Sequence, residues 1–259
     1  MYVFAGFMVG IIVGLTGVGG GALMTPLLIL MFGIAPVSAV GTDLWFAAFT
    51  KMVAGGVHYQ RKLIDWQVLR YLWLGSLPAS ALMIYLMQSK LVLIDGKFLS
   101  QWVAYLVILT AIGILFQAKL KGLGKYFRIS NEIAFKAWQP ILTILAGSIL
   151  GLLVTLTSIG AGALGVVFLT YLYPLRLTPA RLVATDIVHA IPLAMFAGFG
   201  HLIVGHVDFE LLGLLLLGSI PGVYIGARAS SVLSAKWIRI LLAMVLIAVG
   251  AKLLLGLSK

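Results

Sequence analysis

The chain has 259 residues, of which 62% are hydrophobic and 10% charged, with a mean hydropathy of +1.15 and a formal net charge of +11. No soluble domain needs so much apolar surface, so the composition predicts an all-α polytopic membrane protein; the alternation of β-barrel spans is absent. Without cysteine, the chain has no disulfide or thiolate metal site. The basic residues lie in short loops between apolar segments, which argues against nucleic acid and favours contact with the lipid bilayer.

The apolar segments form two sets of four. Each set begins with a long segment that glycines interrupt, A1 (residues 2–33) and A2 (138–173). Three further segments follow in each set, B1, C1 and D1 in the first and B2, C2 and D2 in the second. Their expected limits are 36–59, 66–88, 99–118, 179–203, 209–230 and 238–257. We therefore divide the chain into a first transmembrane repeat (1–118), a basic linker (119–136) and a second repeat (137–259).

Segment A1 is expected to break at its glycine run, Thr16-Gly17-Val18-Gly19-Gly20-Gly21. One straight helix over 2–33 would be about 48 Å long, well beyond a hydrocarbon core of ~30 Å. Adjacent glycines are also where helical backbone is least stable. The same pattern returns in A2 as Thr157-Ser158-Ile159-Gly160-Ala161-Gly162. The sequence therefore predicts two short helical arms and a broken tip in each repeat.

An internal duplication can be counted directly. Residues 6–23 match 147–164 with 9 identities in 18 positions, and 36–78 match 179–221 with 16 in 43. The second alignment pairs Thr42-Asp43 with Thr185-Asp186, and it brings prolines and glycines into register. Shared apolar composition alone would not align such rare polar residues.

Basic residues predict how the halves face, because Lys and Arg accumulate in cytoplasmic loops. With 119–136 placed as a cytoplasmic loop, Arg61 and Lys62 also lie inside. If A2 turns back as a re-entrant hairpin, the basic residues of the second half lie inside too. These are Arg176, Arg181, Arg228, Lys236 and Arg239. The predicted fold is two inverted repeats in the inner (cytoplasmic) membrane, each a re-entrant glycine-rich hairpin plus three transmembrane helices, with both termini outside. Single broken spans would instead give eight spans and parallel repeats.

Inverted repeats with matched interrupted segments predict a transporter whose site lies near the midplane, between the two tips. The second arms would turn backbone N–H groups and positive dipole ends toward an anion, and hydroxyl groups would add donors. The alternative is close helix packing through small residues, which the two matched copies disfavour. The predicted substrate-binding residues are Thr16, Gly19, Gly20, Gly21, Thr157, Ser158, Gly160, Gly162, Lys51 and His189.

Asp43 and Asp186 lie one to two turns inside B1 and B2, where ionisable groups are costly and usually functional. They are candidates for coupling to a proton or sodium ion, or for gating. Alternatively, they anchor the hairpins by accepting hydrogen bonds.

Lys51 and His189 have no duplicate, since their repeat positions are Ala194 and Phe46. Lys51 can give the cavity positive charge or neutralise Asp43; the alternative is snorkelling to headgroups. His189 can complete a proton path or donate to the anion, or it is simply satisfied by Asp186, three residues earlier.

His201 and His206 with Asp208 have a spacing that suits a metal, but their place at a helix end favours capping or solvation. We therefore predict no metal and no cofactor. The sequence has no H-E-x-x-H motif, no G-x-S-x-G turn and no P-loop, so we predict no enzyme and no direct use of ATP.

The two glycine motifs, the steps Gly41-Thr42-Asp43 and Ala184-Thr185-Asp186, and the turn Gly205-His206-Val207-Asp208 resemble the sulfite exporter TauE/SafE family over nearly the whole chain. The resemblance implies an inner-membrane permease for sulfite, sulfoacetate or other sulfonates, usually working as an exporter. Asp43 departs from the serine found there in most members, which leaves substrate and coupling ion open. We thus expect a secondary transporter with alternating access; the alternative is a passive anion channel.

Overall fold

The computed structural model describes residues 1–16, 21–89, 95–130, 132–160, 162–229 and 235–257. Within these residues the chain is helical and has no strand, as its composition predicts. The helices are α1 (Tyr2–Thr16), α2 (Gly21–Phe32), α3 (Pro36–Gln60), α4 (Trp66–Gln88), α5 (Gly96–Ser130), α6 (Glu132–Thr157), α7 (Leu164–Leu172), α8 (Pro179–Ile203), α9 (Phe209–Ala229) and α10 (Ala235–Leu257).

The helices follow the predicted segments closely, with one correction. Helices α1 and α2 are the arms of A1, and α6 and α7 are those of A2. The predicted basic loop 119–136 is largely helical, because α5 continues to Ser130 and α6 begins at Glu132. Lysine, leucine and arginine are good helix formers, so a run of charge outside the membrane need not be a loop.

Five helical stretches in the described residues are long and apolar enough to cross a membrane. They are Trp66–Gln88, Gly96–Arg128, Phe135–Thr157, Pro179–Ile203 and Phe209–Gly226. Four of them are predicted full spans, and the other is the first arm of A2. The predicted span α3 is 25 residues long but carries two buried charged side chains, Asp43 and Lys51. The chain is a multi-pass membrane protein.

Each interrupted segment turns back on itself. The ring of Tyr2, at the start of α1, lies 4.8 Å from that of Phe32, at the end of α2. In the second segment the Tyr173 hydroxyl, just after α7, lies 2.8 Å from the Thr143 hydroxyl in the first half of α6. Helix α7 has 9 residues and is about 13 Å long, too short to cross a core of ~30 Å. Both segments are therefore hairpins rather than single broken spans.

The first arm of each hairpin packs against a helix of the other repeat, α1 on α9 and α6 on α4. A Cβ at Gly6 of α1 would collide with the Leu215 carbonyl, and one at its repeat equivalent Gly147 would collide with the Leu72 carbonyl. Small residues at such crossings let two backbones touch. The repeats therefore exchange the first arms of their hairpins.

Helices α3 and α8 pack against each other in opposite directions. A Cβ at Gly55, late in α3, would lie 2.9 Å from Ile191 in the middle of α8. A Cβ at Gly198, late in α8, would lie 3.1 Å from Trp45, early in α3. Gly55 and Gly198 are equivalent in the two repeats, so the contact is made twice, once from each side.

Two equivalent hydrogen bonds also connect each repeat to the other. The Asp65 N–H, before α4, donates to the Thr185 hydroxyl of α8 over 3.0 Å. The Asp208 N–H, before α9, donates to the Thr42 hydroxyl of α3, also over 3.0 Å. These bonds anchor α3 and α8 at matching points. They also place Asp43 and Asp186, the residues that follow the two threonines, one on each side of the centre.

Candidate functional site

A cluster of buried polar side chains lies where α3, α8 and the tip of the second hairpin meet. Asp43, Asp186 and His189 are 0% exposed, Lys51 is 2% exposed and Ser158 is 3% exposed. Burying ionisable groups costs free energy unless they are paired, and in membrane helices such groups usually serve a function. The structure thus brings five predicted site residues together.

Asp43 joins the cluster to the first hairpin. The Thr25 hydroxyl, in the second arm α2, donates to Asp43 Oδ2 over 2.5 Å. The Ser158 hydroxyl, from the other repeat, lies close to the same carboxyl, and Oδ1 has no hydrogen-bond partner in the described part of the chain. This geometry fits the hairpin-anchoring interpretation of Asp43, and it leaves one oxygen for another task.

The Asp186 carboxyl lies at the start of α7, the second arm of the second hairpin. A Cβ at Gly165, in the first turn of α7, would collide with Asp186 Oδ1. The Gly162 amide lies close to the carboxyl without completing a hydrogen bond, and both carboxyl oxygens are without a partner among the described residues. A helix N-terminus attracts negative charge. The position predicted for a substrate anion therefore contains the protein's own carboxyl group.

The second tip needs its glycines. Gly160 and Gly162 have φ angles of +123° and +115°, in the region that L residues rarely adopt, and Ser158 has a φ of +60°. The Thr157 hydroxyl donates to the Leu153 carbonyl over 2.7 Å, so its only donor is engaged within the helix. The Ser158 hydroxyl has no hydrogen-bond partner in the part of the chain described. Of these two predicted hydroxyl donors, Ser158 is the one whose proton is not engaged within its own helix.

Lys51 extends toward the other repeat. Its ammonium interacts electrostatically with both carboxyl groups, more strongly with Asp186 of α8 than with Asp43 of its own helix. Lys51 is eight residues beyond Asp43, about 12 Å along the helix. The antiparallel contact of α3 with α8 supplies the stronger electrostatic partner. Because Lys51 is 2% exposed, it does not snorkel.

His189 is held by α4 rather than by Asp186. Its Nε2 lies 2.9 Å from the Ser76 hydroxyl, and its backbone carbonyl accepts from the Trp73 indole over 3.2 Å. Its Nδ1 is buried without a partner among the described residues, and the ring also interacts with the charge of Lys51. The two polar residues without duplicates thus meet at the centre, one from each repeat.

Several predictions fall outside the described residues. These are the Thr16 side chain and the whole of Gly19 and Gly20; Gly21 is the first residue of α2.

The two histidines near the end of α8 lie close together. The Nε2 of His201 lies 2.9 Å from the Thr155 carbonyl oxygen, and the His201 ring centroid lies 5.7 Å from that of His206. Burial lowers the pKa of the His206 imidazole, which lies in the loop after α8.

Sequence reasoning missed Thr25, Ser76 and Gly165. Ser76 has a visible signal, because it is duplicated as Ser219 inside a matched Gly-Ser step. Thr25 and Gly165 have none, since the partners that make them important lie in other segments.

An ion pair also joins the repeats at the surface. Arg176 Nε and Nη2 each lie 2.8 Å from a different oxygen of Asp65, and Arg181 Nη2 lies 3.5 Å from Oδ2. The Asp65 side chain is 4% exposed and that of Arg176 is 41% exposed. Asp65 also caps α4 by accepting from the Val68 N–H. The position equivalent to Arg181 in the first repeat is Ser38, so the two ends of the molecule differ.

Comparison with known proteins finds relatives that match nearly the whole length of the chain. A family model described as Sulfite exporter TauE/SafE matches residues 2–253. "Probable membrane transporter protein YjnA" of Bacillus subtilis (strain 168) is 36% identical over 261 residues, covering 97% of this chain and 98% of that one. "Probable membrane transporter protein YdhB" of the same organism is 29% identical and covers 88% of both. No solved structure matches the chain.

Proposed function

Because the chain belongs to the sulfite exporter TauE/SafE family of membrane permeases, we propose that it is a secondary transporter for a small sulfur-containing anion. Sulfite, sulfoacetate and other sulfonates are the candidate substrates, and export is the working direction. The anion binds between the two hairpin tips, near the membrane midplane, and access alternates between the two sides of the membrane.

One observation carries this proposal, the burial of Lys51 beside the second hairpin tip. A lysine in that position needs a negative partner, and the carboxyl group that interacts with it most strongly belongs to the other repeat. An anion at the interface between the repeats satisfies the same need. The hydroxyl of Ser158 and the free Nδ1 of His189 add hydrogen-bonding groups without a partner among the described residues.

We further propose that the two repeats are inverted, with 119–136 on the cytoplasmic side of the inner membrane. The packing of α3 against α8 in opposite directions supports this orientation. The two pairs formed between the repeats, α1 with α9 and α6 with α4, support it too, because the two helices of each pair run in the same direction. Reciprocal contacts give such a molecule two similar arrangements, one for each side of the membrane.

Flux measurements with a matched pair of lysine variants test the proposal. Labelled sulfite, sulfoacetate and taurine are offered to proteoliposomes, with and without an imposed pH gradient. Lys51→Gln should lower flux of the transported anion at least tenfold, because it removes the buried positive charge, whereas Lys252→Gln, at an exposed position of α10, should not. Equal flux in both variants would overturn the assigned site. A flux that only equilibrates, never accumulates and ignores the gradient would favour the channel.

A further inference from the structure

The carboxyl group of Asp186 interacts with two groups that an anionic substrate would also use, the N-terminus of α7 and the ammonium group of Lys51. It contacts Gly165 in the first turn of α7, at the positive end of that helix. It is also the stronger electrostatic partner of Lys51. Asp43, in contrast, accepts a hydrogen bond from Thr25 and interacts less strongly with Lys51. The two carboxyl groups are equivalent in sequence but differ in their surroundings.

The charges of the cluster do not balance if every group is ionised. Two buried carboxyl groups share one buried ammonium group, and neither oxygen of Asp186 has a hydrogen-bond partner within the described residues. An anion that takes Lys51 as its partner would leave Asp186 as an unpaired buried charge. Such a charge is unfavourable in a protein interior, and a carboxylate usually avoids that cost by taking up a proton.

We propose that Asp186 is a built-in competitor of the substrate, whose carboxylate holds Lys51 in the empty site and takes up one proton from solvent when an anion binds. The only bond formed is O–H on the carboxyl group, and nothing is oxidised or reduced. The inference rests on the proposed function, because it assumes that the substrate binds at Lys51. It makes substrate affinity depend on pH through one named group.

The other groups around Asp186 can be tested separately. The other titratable side chains of the cluster are Lys51, which interacts with Asp186 directly, and Asp43 and His189, which both interact with Lys51. Among described residues, the tip between α6 and α7 brings the Gly162 amide close to Asp186 and the Ser158 hydroxyl close to Asp43, and Ser76 of α4 lies 2.9 Å from His189 Nε2. If His189 took the proton instead, replacing it would remove the pH dependence.

The experiment measures binding of sulfoacetate to the purified full-length protein from about pH 6 to about pH 8, a range in which both acidic groups of this probe stay ionised. Wild-type affinity should weaken with rising pH, by up to about tenfold per pH unit, because one proton is bound with the anion. Proton uptake in weak buffer should approach one per anion. Asp186→Asn should abolish both effects and bind as tightly at high pH as wild type does at low pH.

Two controls separate the alternatives. His189→Gln and Asp95→Asn, an exposed residue that caps α5, should both keep the pH slope. The wild-type proton count needs no variant, so it tests for proton uptake even if Asp186→Asn fails to fold. Binding without proton uptake, or an unchanged slope in Asp186→Asn, would overturn the inference and leave the transporter standing. No binding of sulfoacetate, sulfite or taurine at any pH would overturn the proposed function and this inference with it.

Discussion

Arg176 and Asp65 form a two-pronged ion pair that ties the loop after the second hairpin to the start of α4 in the first repeat. Two nitrogens of the guanidinium each approach a separate carboxylate oxygen to 2.8 Å. Such fork-to-fork geometry is stronger than a single contact, and lysine cannot reproduce it. The nearly buried carboxylate makes the pair a stabilising link between the repeats.

Removing that guanidinium should destabilise the folded protein. We expect Arg176→Ala to cost about 1–3 kcal/mol, between the values for exposed and buried ion pairs, since Arg176 is 41% exposed while Asp65 is 4% exposed. The thermal unfolding midpoint in detergent measures this loss. Arg70→Ala, on the exposed surface of α4, is the control and should change it little. Equal midpoints for both variants would contradict the assigned role of the pair.

A methyl group at Gly165 should disturb Asp186 directly. In Gly165→Ala the new Cβ collides with Asp186 Oδ1, so either α7 or the carboxyl group must move. We expect a large loss of anion flux and a lower unfolding midpoint. Gly213→Ala in α9 is the matched control, because a Cβ there meets nothing within 4 Å and alanine favours helix. Wild-type flux in Gly165→Ala would show that the carboxyl position does not matter.

The hydroxyl of Ser76 should act through His189. Ser76→Ala removes the partner of Nε2 and frees the ring to turn, so we expect KM for the transported anion to rise about three- to tenfold with a smaller change in maximal rate. Ser219→Ala changes the equivalent serine of the other repeat, whose hydroxyl donates to the Leu216 carbonyl, and should leave KM unchanged. The same KM in both variants would remove His189 from the substrate site.

Acid should weaken the fold through His206. Burial lowers the pKa of this imidazole in the folded state, so the unfolded chain takes up the proton first as pH falls. The stability contributed by neutral His206 is therefore complete above its unfolded pKa of about 6.5 and decreases below it. The effect is small because the side chain is only half-buried. Unfolding midpoints at about pH 5.5 and about pH 7.5 should differ less in His206→Gln than in wild type.

Much of the fold could be predicted because the duplication carries it. Matched glycines and the recurring Thr-Asp step located both hairpins and the two central helices, and the family resemblance drawn from them is confirmed. The secondary structure of the segment between the repeats was harder to predict. Its charge predicts a loop, whereas residues 119–130 continue α5.

The site could be predicted only as a set of residues. Within its own helix the carboxyl group that Lys51 can neutralise is Asp43, eight positions away, but its stronger electrostatic interaction is with Asp186 of α8. That contact depends on α3 and α8 lying antiparallel, which spacing within one helix cannot reveal. The same holds for Thr25 on Asp43 and for Gly165 on Asp186.

The packing of each hairpin's first arm against the other repeat has a consequence for synthesis. The glycine face of α1 is complementary to α9, and α1 ends at Thr16 whereas α9 begins at Phe209. The first hairpin must therefore leave the ribosome and wait in the bilayer, its close-packing surface against lipid, until almost the whole chain has followed. Neither half can mature alone, so a truncated chain that inserts correctly would still present an unfilled groove to the cell's quality-control proteases.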